Sequence, residues 1–200
     1  SMTSFLTTGG IRGGSKSVTS YQPRGFNMGI QAELFRKVGG YDEAFVCGED
    51  VELSLRLQKE GAKGAFIEDA YVFHKRRTSI AQFRRQVFRF GAARPLLAKA
   101  HPGNLKVTHL FPLVFTLFRY TAVALWVLAF VFKVSLLALP ISAYIMYMLL
   151  VFFAALRKEG LTVALLSVKT TNTMNAGYGM GFARNFIEVY LKGNAKGIKL

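Results

Sequence analysis

The chain has 200 residues, 52% of them hydrophobic, and a formal net charge of +15. That length is a prior for one domain, or one domain with an appendage, and the single cysteine, Cys47, excludes an internal disulfide scaffold. The apolar residues concentrate in 110–156 with Lys and Arg on both flanks. That pattern favours a membrane over nucleic acid as the partner, because basic residues collect on the cytoplasmic side of membrane segments and no nucleic-acid motif is present.

Residues 1–30 are rich in Gly, Ser and Thr and are expected to form loops and short strands. Residues 31–38 predict a short helix stopped by Gly39-Gly40, and 41–48 a loop. In 49–60, Val51, Leu53, Leu55 and Leu57 alternate with polar residues, which is a strand period. The composition is that of a helix, with Glu49 and Asp50 suited to the positive end of its dipole and Gly61 to its stop. Helix is the choice. Residues 65–74 predict a strand. Residues 79–94 predict a basic helix with Ile80, Phe83, Val87 and Phe90 on one face.

Residues 110–132 and 134–156 are each long enough to cross a bilayer core. Only Lys133 separates them, so a tight helical hairpin is expected, with both ends facing the cytoplasm. Arg119 lies inside the first stretch and must snorkel or face protein. Residues 161–168 are too short to span. Residues 176–191 suit an amphipathic helix at the interface, and Gly177, Gly179 and Gly181 suit either close helix packing or a flexible connector.

The stretch 23–94 carries the chemistry. It holds Gly25-Phe26-Asn27, then Val38-Gly39-Gly40-Tyr41-Asp42-Glu43, then Gly48-Glu49-Asp50, and later His74-Lys75-Arg76-Arg77. In order and spacing these segments resemble the second half of family 2 glycosyltransferases of bacterial type, over roughly residues 1–105. The membrane anchor and the late Gly177–Phe182 segment are similar to those of membrane-attached members. The resemblance implies a partial α/β GT-A fold in 1–105 as the acceptor and catalytic-base half. A transmembrane hairpin in 106–157 and a basic amphipathic tail in 158–200 would follow.

It also implies inverting transfer of a sugar from a nucleotide sugar to a lipid-linked or glycan acceptor at the inner membrane, with the soluble part and C-terminus in the cytoplasm. Asp50 would be the general base, with Glu49 beside it. A carboxylate within hydrogen-bond reach is the usual base for an attacking hydroxyl, although the same pair could simply cap a helix. By the resemblance, His74 would help hold a divalent metal (Mg or Mn) or the diphosphate. Arg76 and Arg77 suit the diphosphate, since guanidinium groups bind phosphate in bidentate fashion, and they equally suit lipid headgroups. Asn27 and Arg24 would line the acceptor side, and Asn27 equally suits a turn. Gln82-Phe83-Arg84-Arg85-Gln86 resembles the Q-x-x-R-W element of processive synthases, but Gln86 stands where the tryptophan would be. That departure favours single-sugar transfer.

The chain contains no Asp-x-Asp, the motif that holds the donor's metal in the family. The donor half is therefore expected to be missing, and the isolated chain to be inactive. Pairing with that half, or with a second copy, is expected to cover the exposed edge. The competing expectation is a non-catalytic scaffold of a glycan-assembly complex.

Overall fold

The computed structural model describes residues 23–65, 67, 69–75 and 77–194. Six α-helices follow in chain order: α1 (Ala32–Lys37), α2 (Glu49–Lys59), α3 (Ile80–Ala100), α4 (Phe111–Phe132), α5 (Leu139–Glu159) and α6 (Leu161–Phe186). The last continues into a π-helical turn, Ile187–Leu191. No strand occurs among the described residues, so the expected α/β, partial GT-A architecture is overturned. Residues 65–74, expected as a strand, run as irregular backbone where described. Ile67, Tyr71 and Val72 are exposed there, and Phe73 is 95% exposed. A strand needs a neighbour to pair its N–H and C=O groups, and the described residues supply none. The short strands expected in 1–30 fall largely outside the described residues, and the remainder is a 3-10 turn, Gly25–Asn27, with extended flanks.

Helix α2 forms because Gly48 turns the chain in the left-handed conformation (φ 83°), which a residue with a Cβ adopts only with strain. Glu49, Asp50 and Glu52 then meet the positive end of the dipole, and Arg56 and Lys59 the negative end. Val51, Leu53 and Leu57 are buried. They lie on more than one face, which is why their spacing imitates a strand. The core joins α2 to α3 and the C-terminal turn through Phe45, Val51, Ala93, Leu96, Leu97 and Val189.

Helix α3 is capped by Ser79, whose Oγ accepts from the Gln82 N–H at 3.2 Å. It runs past the expected end at residue 94, through Pro95, to Ala100. A proline there removes one donor from the helical ladder. Across that stretch the Asn185 side-chain amide of α6 donates to the Ala92 carbonyl. Phe83 and Val87 are buried as expected, but Phe90 is exposed, because the buried face continues through Gly91 and Ala92.

Helices α4 and α5 are long and apolar enough to cross a membrane, by length and composition. The link between them is longer than Lys133. That residue ends α4 in the left-handed conformation, and a 3-10 turn, Ser135–Ala138, leads into α5. Residues 161–168 and the start of the 176–191 stretch belong to one helix: α6 runs for 26 residues. Gly177, Gly179 and Gly181 are buried inside it, so they pack helices and do not form a connector.

Those glycines decide how the helices meet. A methyl group on Gly177 would lie 2.7 Å from Val87 Cγ2, and one on Gly179 would lie 2.9 Å from the Leu113 Cα. One on Gly181 would collide with the Phe88 carbonyl, and one on Gly91 of α3 with the Tyr178 carbonyl. The three glycines of α6 thus let α3 in on one side and the start of α4 in on the other. Gly91→Ala is expected to destabilise the fold by about 3 kcal/mol, the upper part of the range for overpacking. Gly29→Ala, with nothing within 4 Å, should leave it unchanged. Thermal unfolding of the two variants in the same detergent checks this.

Candidate active-site face

The site is built on the turn before α1 and the first turn of α2. Asp50 is half-buried, and its Oδ1 accepts from the Val51 N–H at 2.8 Å. Its carbonyl accepts from Ser54 Oγ at 2.6 Å. The Gly25–Asn27 turn passes over it: a methyl group on Gly25 would sit 3.7 Å from the Asp50 Cβ and 3.9 Å from the Tyr41 hydroxyl. Phe26 stacks flat on His74, with ring centroids 4.2 Å apart, and the Arg24 guanidinium lies 6.0 Å from the Phe26 centroid. The Asn27 side-chain amide donates to the Ala70 carbonyl at 3.1 Å, tying the turn to the 69–75 segment. One turn of backbone therefore gathers Arg24, Asn27, His74 and Asp50.

Glu49 is half-buried beside Asp50 at the start of α2. Arg77 is exposed, and Arg76 lies outside the described residues. The divalent metal expected of a complete enzyme has no ligand set here: no group of three or more His, Cys, Asp or Glu is gathered among the described residues.

The structure adds residues that the spacing did not single out. Arg89 and Arg94 of α3 act electrostatically on Cys47, two residues before Glu49. Burial pushes the Cys47 thiol up to about 11, helped by Glu49 and Asp50 and opposed by the two arginines. The loop leading into the acidic pair is seated on α3, for a methyl group on Gly48 would lie 3.3 Å from the Ala93 Cβ. Both arginines had been part of a basic helix face, the ordinary signature of a helix against lipid headgroups.

A second group anchors the base of α2. Glu52 is buried and takes three hydrogen bonds of 2.6–2.9 Å from Arg56, with His101 Nε2 at 3.0 Å from its Oε1. Arg56 Nη1 also donates to the Val38 carbonyl. The network ties α2 to the turn after α1 and to the end of α3. Only its Glu–Arg spacing of four is legible in sequence. Burial pushes the Glu52 carboxyl up, but the hydrogen bonds and charges of Arg56 and His101 outweigh it and hold the group below its ordinary value of 4.5.

With this geometry in view, the relatives can be placed. The family model described as "Glycosyl transferase family group 2" matches residues 12–156. The chain belongs to that family. Its pre-mycofactocin glycosyltransferase from Mycobacterium tuberculosis is 37% identical over 89 residues, covering 44% of this chain and 18% of that protein. The succinoglycan biosynthesis protein ExoA of Rhizobium meliloti is 31% identical over 103 residues, covering 50% and 31%. The dolichyl N-acetyl-alpha-D-glucosaminyl phosphate 3-beta-D-2,3-diacetamido-2,3-dideoxy-beta-D-glucuronosyltransferase of Methanococcus voltae is 28% identical over 97 residues, covering 48% and 30%. The chain thus spans less than a third of the length of each of these family 2 relatives. No solved structure matches it.

Because the folded value of Glu52 is depressed, its contribution to stability is complete above its ordinary value and is lost as pH falls through the folded one. Thermal stability should therefore drop on acidification below about pH 4.5, and Glu52→Gln should flatten that limb. At neutral pH, Arg56→Met leaves the buried carboxylate without its main partner. It should cost about 3 kcal/mol or more, read from denaturant unfolding.

Proposed function

We propose that this chain supplies the acceptor-side, base-bearing part of an inverting glycosyltransferase. The enzyme would move a sugar from a nucleotide sugar to a lipid-linked or glycan acceptor at the membrane. What supports the reading is the placement of Asp50. It is a half-buried carboxylate on a rigid helix start, beneath a turn that also gathers Arg24, Asn27 and His74, within the matched family segment.

In the proposed step the acceptor hydroxyl oxygen attacks the anomeric carbon of the donor. Asp50 takes the hydroxyl proton, and the bond from that carbon to the diphosphate oxygen breaks, its electron pair leaving with the diphosphate. Attack opposite the leaving group inverts the anomeric centre. Glu49 adds negative charge beside the base. Arg24, Arg77, Arg89 and Arg94 offer guanidinium groups for the departing diphosphate, and Asn27 orients the acceptor side.

The donor-binding portion, with its Asp-x-Asp, is proposed to come from elsewhere, since no such motif occurs in these 200 residues. The division into 1–105, 106–157 and 158–200 stands as a functional proposal, as does the cytoplasmic placing of the soluble part. The scaffold reading has one observation in its favour: Asp50 Oδ1 is already engaged by the Val51 N–H, as in a simple cap.

Asp50→Asn separates the two readings. In an enzyme completed with a donor-binding portion, sugar transfer to a lipid acceptor should fall by about 100-fold or more, the lower end of what general-base catalysis contributes, with unchanged circular dichroism. Transfer at the wild-type rate would remove Asp50 from the base role. Calorimetry of the isolated chain with a nucleotide sugar should show no saturable heat.

A further inference from the structure

We propose that α5 and α6 hold an anionic phospholipid, with its hydrocarbon chain in the groove between them and its phosphate at Lys169 and Arg119. The inference stands apart from sugar transfer and needs no activity to test it.

The groove is open along one side and has a volume of about 400 Å³, within the size range of ligand sites. Ile145, Leu149, Phe152 and Leu165 are among its walls, and its polar groups are those of Tyr144 and Lys169. Lys169 is exposed. Asn172, one turn further along α6, brings a second cation to the same level. Its Oδ1 accepts from the Tyr144 hydroxyl at 2.7 Å and from Arg119 Nη1 of α4 at 3.3 Å. Arg119 also lies over the Tyr120 ring, 4.6 Å from its centroid.

The charge of these two cations is not answered by protein. No Asp or Glu occurs between Asp69 and Glu159, nor between Glu159 and Glu188. Among the described residues, no carboxylate lies within ion-pair distance of Arg119 or Lys169. An amide oxygen satisfies one hydrogen bond of the guanidinium but not its charge, and the ring face offsets only part of it. A cation on helices this apolar calls for an anion. A phosphate fits both the guanidinium and the ammonium, and only a phosphate that carries a hydrocarbon chain also fills the groove. Free phosphate would leave the groove unused, and a zwitterionic lipid would bring a second cation to the same place.

Native mass spectrometry of the full chain in neutral detergent tests this, with phosphatidylglycerol and phosphatidylcholine as probes. Phosphatidylglycerol should be retained and phosphatidylcholine not. Arg119→Gln with Lys169→Gln should lower phosphatidylglycerol retention by roughly 30-fold, from about fivefold for each basic residue at a lipid phosphate. Arg84→Gln with Arg85→Gln, on the exposed side of α3, should leave retention unchanged. Leu165→Trp, which fills the groove and keeps both cations, should also weaken retention, and it decides the matter if the double variant misfolds. Equal retention of both lipids, full retention by the double variant or by Leu165→Trp, or complete displacement by inorganic phosphate would each overturn the proposal.

Discussion

Where α3 crosses α6, Gly91 on one helix and Gly181 on the other each face bare backbone, and Gly177 leaves room for the Val87 side chain alone. Side-chain packing tolerates small errors, because rotamers adjust. Backbone against backbone does not, and the neighbouring elements take their positions from it. Asn185 reaches the Ala92 carbonyl only because the helices are this close. Val189, beyond the end of α6, can join the core beneath α2 for the same reason. On the other side of α6, Gly179 sets the approach of α4.

A second constraint is electrostatic. Glu52 is a buried carboxylate, and such a group is tolerable only when paired. Arg56 and His101 pair it, and in doing so they connect the first third of the chain to the end of α3. Helix α2 is thereby fixed at its base by an ion pair and at its start by the contact of Gly48 with Ala93. The acidic pair Glu49 and Asp50 lies at that start. It is held by the fold and not by a mobile loop, as the role proposed for Asp50 would require.

Much of this was legible before any coordinates. Helices α1 and α2, the basic helix α3 and the two apolar helices follow from capping residues, composition and length. Grouping Arg24, Asn27 and His74 with Asp50 rested on family resemblance alone, since nothing in local periodicity joins residues 50 apart; the structure links them only through the Gly25–Asn27 turn. Other features escaped. Residues 65–74 have strand composition, but pairing is a tertiary property, and the described residues contain no neighbour to pair with. Gly177, Gly179 and Gly181 left open a flexible connector, because glycine lowers helix propensity. The packing they permit outweighs that cost. Arg89 and Arg94 were hidden among other basic residues, and only the seating of Gly48 on α3 shows which side of that helix faces the acids.

The glycine contacts form a series of close approaches: Gly48 before α2 on α3, α3 on α6, and α6 on α4. At Gly91, Gly179 and Gly181 the facing atoms are backbone. The series sets the height of Asp50 above the apolar helices largely by backbone contacts. In the role proposed for Asp50, an acceptor anchored among those helices would be selected by its reach rather than by its shape at the carboxylate.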